Sequence, residues 1–172
     1  MHRRTSTAAV LAAALALALA ACGGSTAGSG PSASSTPAAA VTAADPWVKA
    51  VDSGMTAAFV VLTNTTEQEQ VLVAASTPAS TRVELHEMAT VDGQMKMQRK
   101  DGGIVIPAGG EAVLEPGGDH IMLMDVTAPI KPGDVVPIML TFATGETLEI
   151  NAVAKEFEGG AEPYHSAGPP GT

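Results

Sequence analysis

The sequence predicts an all-β domain, a Greek-key β-sandwich or barrel of seven to nine strands, on three observations. Between residues 45 and 157, short apolar runs recur roughly every 8 to 12 residues with Gly or Pro at most of the joints, which is the rhythm of strands and tight turns. No window sustains an apolar period of 3.6 over the length of a helix. "TLEINAV" at residues 147–153 alternates apolar and polar side chains, as a half-buried strand does.

The expected strands follow in order, each rich in β-branched or large apolar residues and each closed by turn formers. "AAFVVLTN" stops at "TTEQEQ", "VLVAAS" at "TPAS", and "TRVELHEMA" at "TVDG". "MKMQ" is closed by "RKDGG", "IVIP" by "AGGE" and "AVLE" by "PGGD". "HIMLMDV" precedes "TAPIKPGD", and "VVPIMLTF" precedes "ATGE" and the final "TLEINAVA".

Outside these bounds the chain changes character. "MHRRTSTAAVLAAALALALAACGG" joins a basic start to an apolar run and small residues around a cysteine, the composition of an export signal. The apolar stretch at residues 8–21 is shorter than the ~20 residues that a membrane-spanning helix needs. Its ending, Leu19-Ala20-Ala21-Cys22-Gly23, resembles the bacterial lipobox. Residues 1–21 are therefore expected to be a lipoprotein signal peptide, and Cys22 the lipidated residue that anchors the exported protein to the outer face of the cell membrane. Residues 22–44, dominated by Ser, Gly, Ala, Pro and Thr, read as a flexible tether spanning about 25 to 30 Å. Residues 158–172 read as a Gly/Pro-rich tail, leaving residues 45–157 as one domain.

Without the leader's Arg3 and Arg4, seven basic residues face 18 acidic ones, a net charge of −11. That balance argues against nucleic acid as a partner and against direct attraction to anionic lipid, so membrane proximity falls to the anchor. Cys22 is the one cysteine, so no internal disulfide can form, and soft-metal chemistry within the domain is left to methionine and histidine.

Of four histidines, only His86 and His120 fall within the domain. Each is followed two residues later by a methionine, giving His86-Glu87-Met88 and His120-Ile121-Met122, and strand alternation puts each pair on one face. The aliphatic residues Val83, Leu85, Ile121 and Leu123 take the other face. Seven methionines follow Met1, and five of them, Met88, Met95, Met97, Met122 and Met124, lie in the histidine strands or between them. One methionine among aliphatics is ordinary core filling, the reading given to Met55 and Met139. Five beside the only two domain histidines call for another explanation.

Imidazole with thioether and no thiol selects among metals. Zinc would ask for Cys, His or carboxylate in a tetrahedron and calcium for an oxygen cage, whereas neutral thioether sulfur suits Cu(I). A blue-copper electron carrier requires a thiolate that this domain lacks. Neutral ligands release Cu(I) by simple exchange, so the donor set favours a carrier. No Ser/His/acid or paired-carboxylate arrangement stands out, and an enzyme is not expected.

The spacing resembles the signature of the bacterial PCuAC copper chaperones, in which a His, ten residues, a Met, about twenty-one residues and His-x-Met follow one another. Here His86 is followed by ten residues and Met97, then by twenty-two residues and His120-Ile121-Met122. The longer spacer is assigned to the turn Asp101-Gly102-Gly103. "VELHEM", "GQMKMQ", "IPAGGEAVLEPGGDHIMLM" and "PIKPGDVVPIMLTF" resemble family stretches in the same order.

The resemblance implies a cupredoxin-like β-sandwich binding one copper, Cu(I) first and Cu(II) secondarily, and supplying the binuclear copper centre of cytochrome c oxidase subunit II or another copper-accepting assembly protein. It implies His86, Met97, His120 and Met122 as ligands of a monomer's single site. Met88 and Met95 are auxiliary candidates, and Met95 competes with Met97 because a two-residue shift keeps the face. Met124 is assigned to packing, Glu87 and Asp119 to the solvated surface rather than to orienting an imidazole, and tail His165 stays outside the site. Two other functions fit the sequence: copper buffering or uptake without a dedicated acceptor, and a structural sandwich lipoprotein without metal.

Overall fold

The computed structural model describes residues 39–158. The signal segment, Cys22, most of the expected tether, and the tail with His165 lie outside the described residues. Ten strands and no helix make up the described residues: β1 (Val41–Lys49), β2 (Thr56–Asn64), β3 (Gln70–Ser76), β4 (Val83–Val91), β5 (Gln94–Arg99), β6 (Ile104–Ile106), β7 (Glu111–Leu114), β8 (His120–Leu123), β9 (Val135–Phe142) and β10 (Thr147–Lys155). The expected all-β class is found.

The strand beyond the expected nine is β1, which starts at Val41 within the stretch read as tether. Its pairing is carried by backbone: antiparallel to β2 from Val41↔Asn64 to Val48↔Ala58, and parallel to β10 from Trp47↔Val153. Val41 is buried and Ala43 packs against the core while Thr42 and Ala44 remain exposed, so in its first half the strand's alternation is carried by small residues like those of the tether. A bulge between Ala44 and Trp47, with Asp45 at φ 50°, bends it midway.

The sheet runs in the order β5-β4-β8-β2-β1-β10-β9-β3-β6, with β7 joining β2 beyond β8. Residues from both ends of that order share a single buried cluster: Leu72, Ile104 and Ile106 from β3 and β6, and Leu85, Ile121 and Leu123 from β4 and β8. The sheet therefore closes over itself as a sandwich. Leu62, Ile138, Leu140 and Ile150 fill the middle. Along β9 and β10 every second residue turns inward, as alternation in "TLEINAV" predicts.

One end of the sandwich differs. β8 is buried on both faces: Ile121 and Leu123 enter the main core, whereas Met122, Met124 and Met97 form a second buried cluster with Ala57 and Met88 packed against it. The row containing His120 and Met122 is thus not a solvent-facing surface.

The turn after β5 is closed by the Gly103 N–H donating to the Lys100 carbonyl at 3.1 Å. Gly103 has φ +76°, and a Cβ there would stand 2.5 Å from the Leu72 carbonyl oxygen, while a Cβ on neighbouring Gly102 would meet open space. Gly103→Ala is expected to lower the unfolding free energy by about 2 kcal/mol or more, and Gly102→Ala to stay within about 0.5 kcal/mol of the parent. Chemical denaturation of the two variants checks this.

Candidate metal centre

Two register choices assemble the site. β4 lies antiparallel to β8 with His86 directly opposite His120 and Glu84 opposite Met122. On its other edge β4 forms a hairpin with β5 through Asp92-Gly93, both with positive φ, the backbone of a two-residue turn whose twist suits paired strands. With Val91 opposite Gln94, the hairpin sets Met88 opposite Met97 and Thr90 opposite Met95. Side-chain parity then gathers His86, Met88, Met97, His120 and Met122 on the face away from the main core. β2 completes that face, with Ala57 opposite Met122 and the Phe59 ring centroid 6.2 Å from that of His120.

The hydrogen bonds dictate where each imidazole carries its proton. His120 Nδ1 lies 3.0 Å from the Gly118 carbonyl oxygen. That oxygen only accepts, so Nδ1 donates. A neutral ring then presents a lone pair at Nε2, which lies 3.0 Å from the Met97 Sδ. A thioether has no proton to offer, so two electron pairs face each other. A soft cation held by nitrogen and sulfur together satisfies both atoms, as does a proton on Nε2 donated to the sulfur.

His86 is fully buried, and its Nε2 lies 2.9 Å from the Glu84 Oε2. The carboxylate accepts that proton, which leaves the basic electron pair of the neutral ring on Nδ1. The two rings stand 5.7 Å apart between centroids and nearly perpendicular. Glu84 itself has the Arg82 guanidinium 3.8 Å away.

A cavity of about 230 Å³ opens on this face, lined among others by His120, Met97, Met122, Met88, Phe59 and Met55. His86 is not part of its wall and is fully buried. Met95 is 55% exposed at the hairpin, accepting a hydrogen bond from the Thr90 hydroxyl at 3.3 Å. Geometry therefore brings Met97, not Met95, to the histidines. Met124 packs within the thioether cluster. Met139 is half-buried outside the main core, and Met55 is 42% exposed, so neither fills the core as its sequence setting suggests.

Glu87 and Asp119 both bind the Lys100 ammonium, at 2.6 and 3.2 Å, and Gln98 donates to Glu87. The orienting carboxylate is Glu84, which the sequence reading passed over. Its signal was the two-residue separation that puts Glu84 and His86 on the same strand face. Among the described residues no group of three or more His, Cys, Asp and Glu could hold a metal ion; the donors that the strand register gathers here are imidazole and thioether.

A family model described as "Putative lipoprotein LpqE-like" matches residues 41–154. The chain is 42% identical over 118 residues to "Putative lipoprotein Lxx21020" of Leifsonia xyli subsp. xyli, covering 69% of this chain and 71% of that one. It is similar to the solution structure of apo-DR1885 from Deinococcus radiodurans, at 32% identity and TM-score 0.55 over 88% of this chain and 98% of that one. The solution structure of CuI-DR1885 matches at 34% identity and TM-score 0.52, covering 73% and 87%. A copper-bound PCuAC domain from PmoF2 shares the fold, with TM-score 0.57 at 18% identity over 68% of this chain and 93% of that one. The sandwich is thus cupredoxin-like, as expected.

The Lys100 clamp predicts a pH dependence. The hydrogen bond from Lys100, followed by that from Gln98, holds the Glu87 carboxyl below its usual range, and the bond to Glu87, then that to Asp119, raises the Lys100 ammonium. A lowered carboxylate stabilises the fold above its unfolded pKa and loses that contribution as pH falls through the folded value. A raised ammonium stabilises below its unfolded pKa and loses its contribution as pH rises through the folded value. The clamp is complete between about pH 5 and pH 10. Lys100→Gln is expected to cost less than about 1 kcal/mol at pH 7, because both partners are partly solvated, and to flatten the loss of stability on acidification. Denaturation midpoints from pH 7 to pH 3 measure it.

Proposed function

Because the chain belongs to the LpqE-like family, whose description is that of lipoproteins, and gathers imidazole and thioether donors beside one cavity, we propose that it is a lipid-anchored extracytoplasmic copper chaperone. It binds one Cu(I) through His86, Met97, His120 and Met122, with Met88 as the auxiliary donor, and passes the ion on. The observation that carries this reading is the approach of His120 Nε2 to Met97 Sδ at 3.0 Å with the ring proton engaged by Gly118. A monovalent soft cation satisfies both atoms. The likeness to CuI-DR1885, which covers most of both chains, supports the same ion.

The remaining donors fit that role. Glu84 orients His86 as a carboxylate partner does in metal sites, fixing which nitrogen faces the ion. Neutral ligands keep the charge of Cu(I) unbalanced, so it exchanges readily onto another donor set, as a carrier requires. Cys22, as the lipidated residue, keeps the domain near the membrane. The recipient proposed on the resemblance to PCuAC chaperones is the binuclear copper centre of cytochrome c oxidase subunit II. Measuring oxidase copper content in a deletion strain under copper limitation tests that step, and normal loading would leave buffering as the role.

Titration of the purified protein with Cu(I) against a chromophoric competitor tests the site. One equivalent is expected to bind, with His120→Ala and Met97→Leu each losing more than the roughly 10- to 100-fold typical of a supporting residue such as Glu84 in Glu84→Gln. Met95→Leu should bind as the parent does. Met122→Leu should change stability by less than about 1.5 kcal/mol while weakening copper binding, since the side chains are close in volume and differ in sulfur. Binding indifferent to His120 and Met97 would refute the proposal. A copper-edge X-ray absorption spectrum gives the sulfur-to-nitrogen ratio directly.

A further inference from the structure

The loop joining β1 to β2 is held at both ends by backbone. Val51 and Ile130 exchange N–H···O bonds of 2.9 and 2.8 Å, and the Gly54 carbonyl accepts from the Val126 N–H at 2.9 Å. Where β2 begins, the Thr56 hydroxyl donates to the Lys49 carbonyl at 2.6 Å. Met55 sits in this braced segment, yet its side chain is 42% exposed and lines the cavity that His120, Met97, Met122 and Met88 also line.

Parity explains its position. Ala57 faces Met122 and Phe59 faces His120, so Met55 continues the same row of β2 one step further. Continuing the antiparallel register would bring Met55 opposite Met124, a member of the buried thioether cluster. The cavity thus carries thioethers of graded exposure: Met97 and Met122 buried, Met88 half-buried, and Met55 open to solvent.

We infer that Met55 is the exchange ligand at the mouth of this cavity, a thioether that takes Cu(I) from solution or yields it to an acceptor without belonging to the resting donor set. The inference rests on the copper reading above. In the exchange a Cu–S bond to Met55 forms as one bond to the buried donors breaks. No electron is transferred, and no proton moves, because a thioether binds without deprotonation. The single positive charge stays with the ion throughout. An aliphatic residue of similar volume would leave the cavity shaped as it is and remove this step.

The test compares the protein with Met55→Leu. Rates of Cu(I) transfer to a chromophoric chelator are read in stopped flow, and affinities at equilibrium. Met55→Leu is expected to slow transfer about fivefold or more with affinity unchanged within about twofold, a kinetic rather than thermodynamic defect. In protein labelled with ¹³C at the methionine methyls, the Met55 resonance should shift only when Ag(I), a redox-inert stand-in for Cu(I), is raised beyond one equivalent. Val51→Ala, which alters the cavity wall without touching sulfur, should transfer at the parent rate. Unchanged transfer in Met55→Leu, equal slowing in Val51→Ala, or a matching loss of equilibrium affinity in Met55→Leu would each overturn the inference while leaving the copper site standing. Failure of the parent protein to bind Cu(I) would remove both together.

Discussion

The pairing of β4 with β8 is the constraint on which the rest of the structure depends. Setting His86 opposite His120 brings together two rings that lie far apart in the chain. Strand parity then sends their aliphatic neighbours Leu85 and Ile121 into the main core. A slip of one residue would exchange the faces, putting imidazole among Leu and Ile and aliphatics at the cavity. Burial of Leu85, Ile121 and Leu123, at about 1.5 to 3 kcal/mol for each large aliphatic side chain, therefore secures a register whose reverse face carries the chemistry. The Asp92-Gly93 turn does the same for β5, since the hairpin admits only one methionine opposite Met88.

The reverse face is less stabilising than it could be. Leucine would bury as much surface as the methionines with better-defined rotamers, and a buried imidazole needs its polar atoms satisfied at about 1 to 3 kcal/mol each. Glu84 and the Gly118 carbonyl meet part of that need, and in doing so they choose the protonated nitrogens. The same contacts that make the histidines tolerable in the interior leave their electron pairs committed to one side. Lys100, bridging Glu87 and Asp119, ties residues adjacent to both histidines from outside the site. Electrostatics thus holds the two strands at the ends nearest the rings without neutralising the donors.

Much of this was legible in the sequence because it rests on period-two alternation. The all-β class, inward residues of β10 such as Ile150 and Ala152, and the segregation of His120 and Met122 from Ile121 and Leu123 follow from parity alone. β1 was not legible in its first half, since its alternation, Val41 and Ala43 inward against Thr42 and Ala44 outward, uses the same small residues as the stretch before it. Parity could not separate Met95 from Met97 either, as both lie on one face, and only the length of the turn decides between them. Nor could it rank depth. It identifies faces, so the burial of the His120 row against residues of β2, β4 and β5 and the exposure of Met55 had to come from the assembled sandwich. Glu84 was legible only through parity, since strand neighbours on a face are two apart and the adjacent Glu87 lies on the opposite face.

Trp47 is the one tryptophan of the chain. Its ring centroid lies 4.4 Å from that of Phe59, and Phe59 in turn lies 6.2 Å from His120. The indole thus stands two ring contacts from an imidazole that lines the cavity. Indole emission responds to the polarity and to the heavy atoms around it, so the molecule carries a native fluorophore with one ring between it and the imidazole, placed where a change in occupancy can be sought without an attached dye.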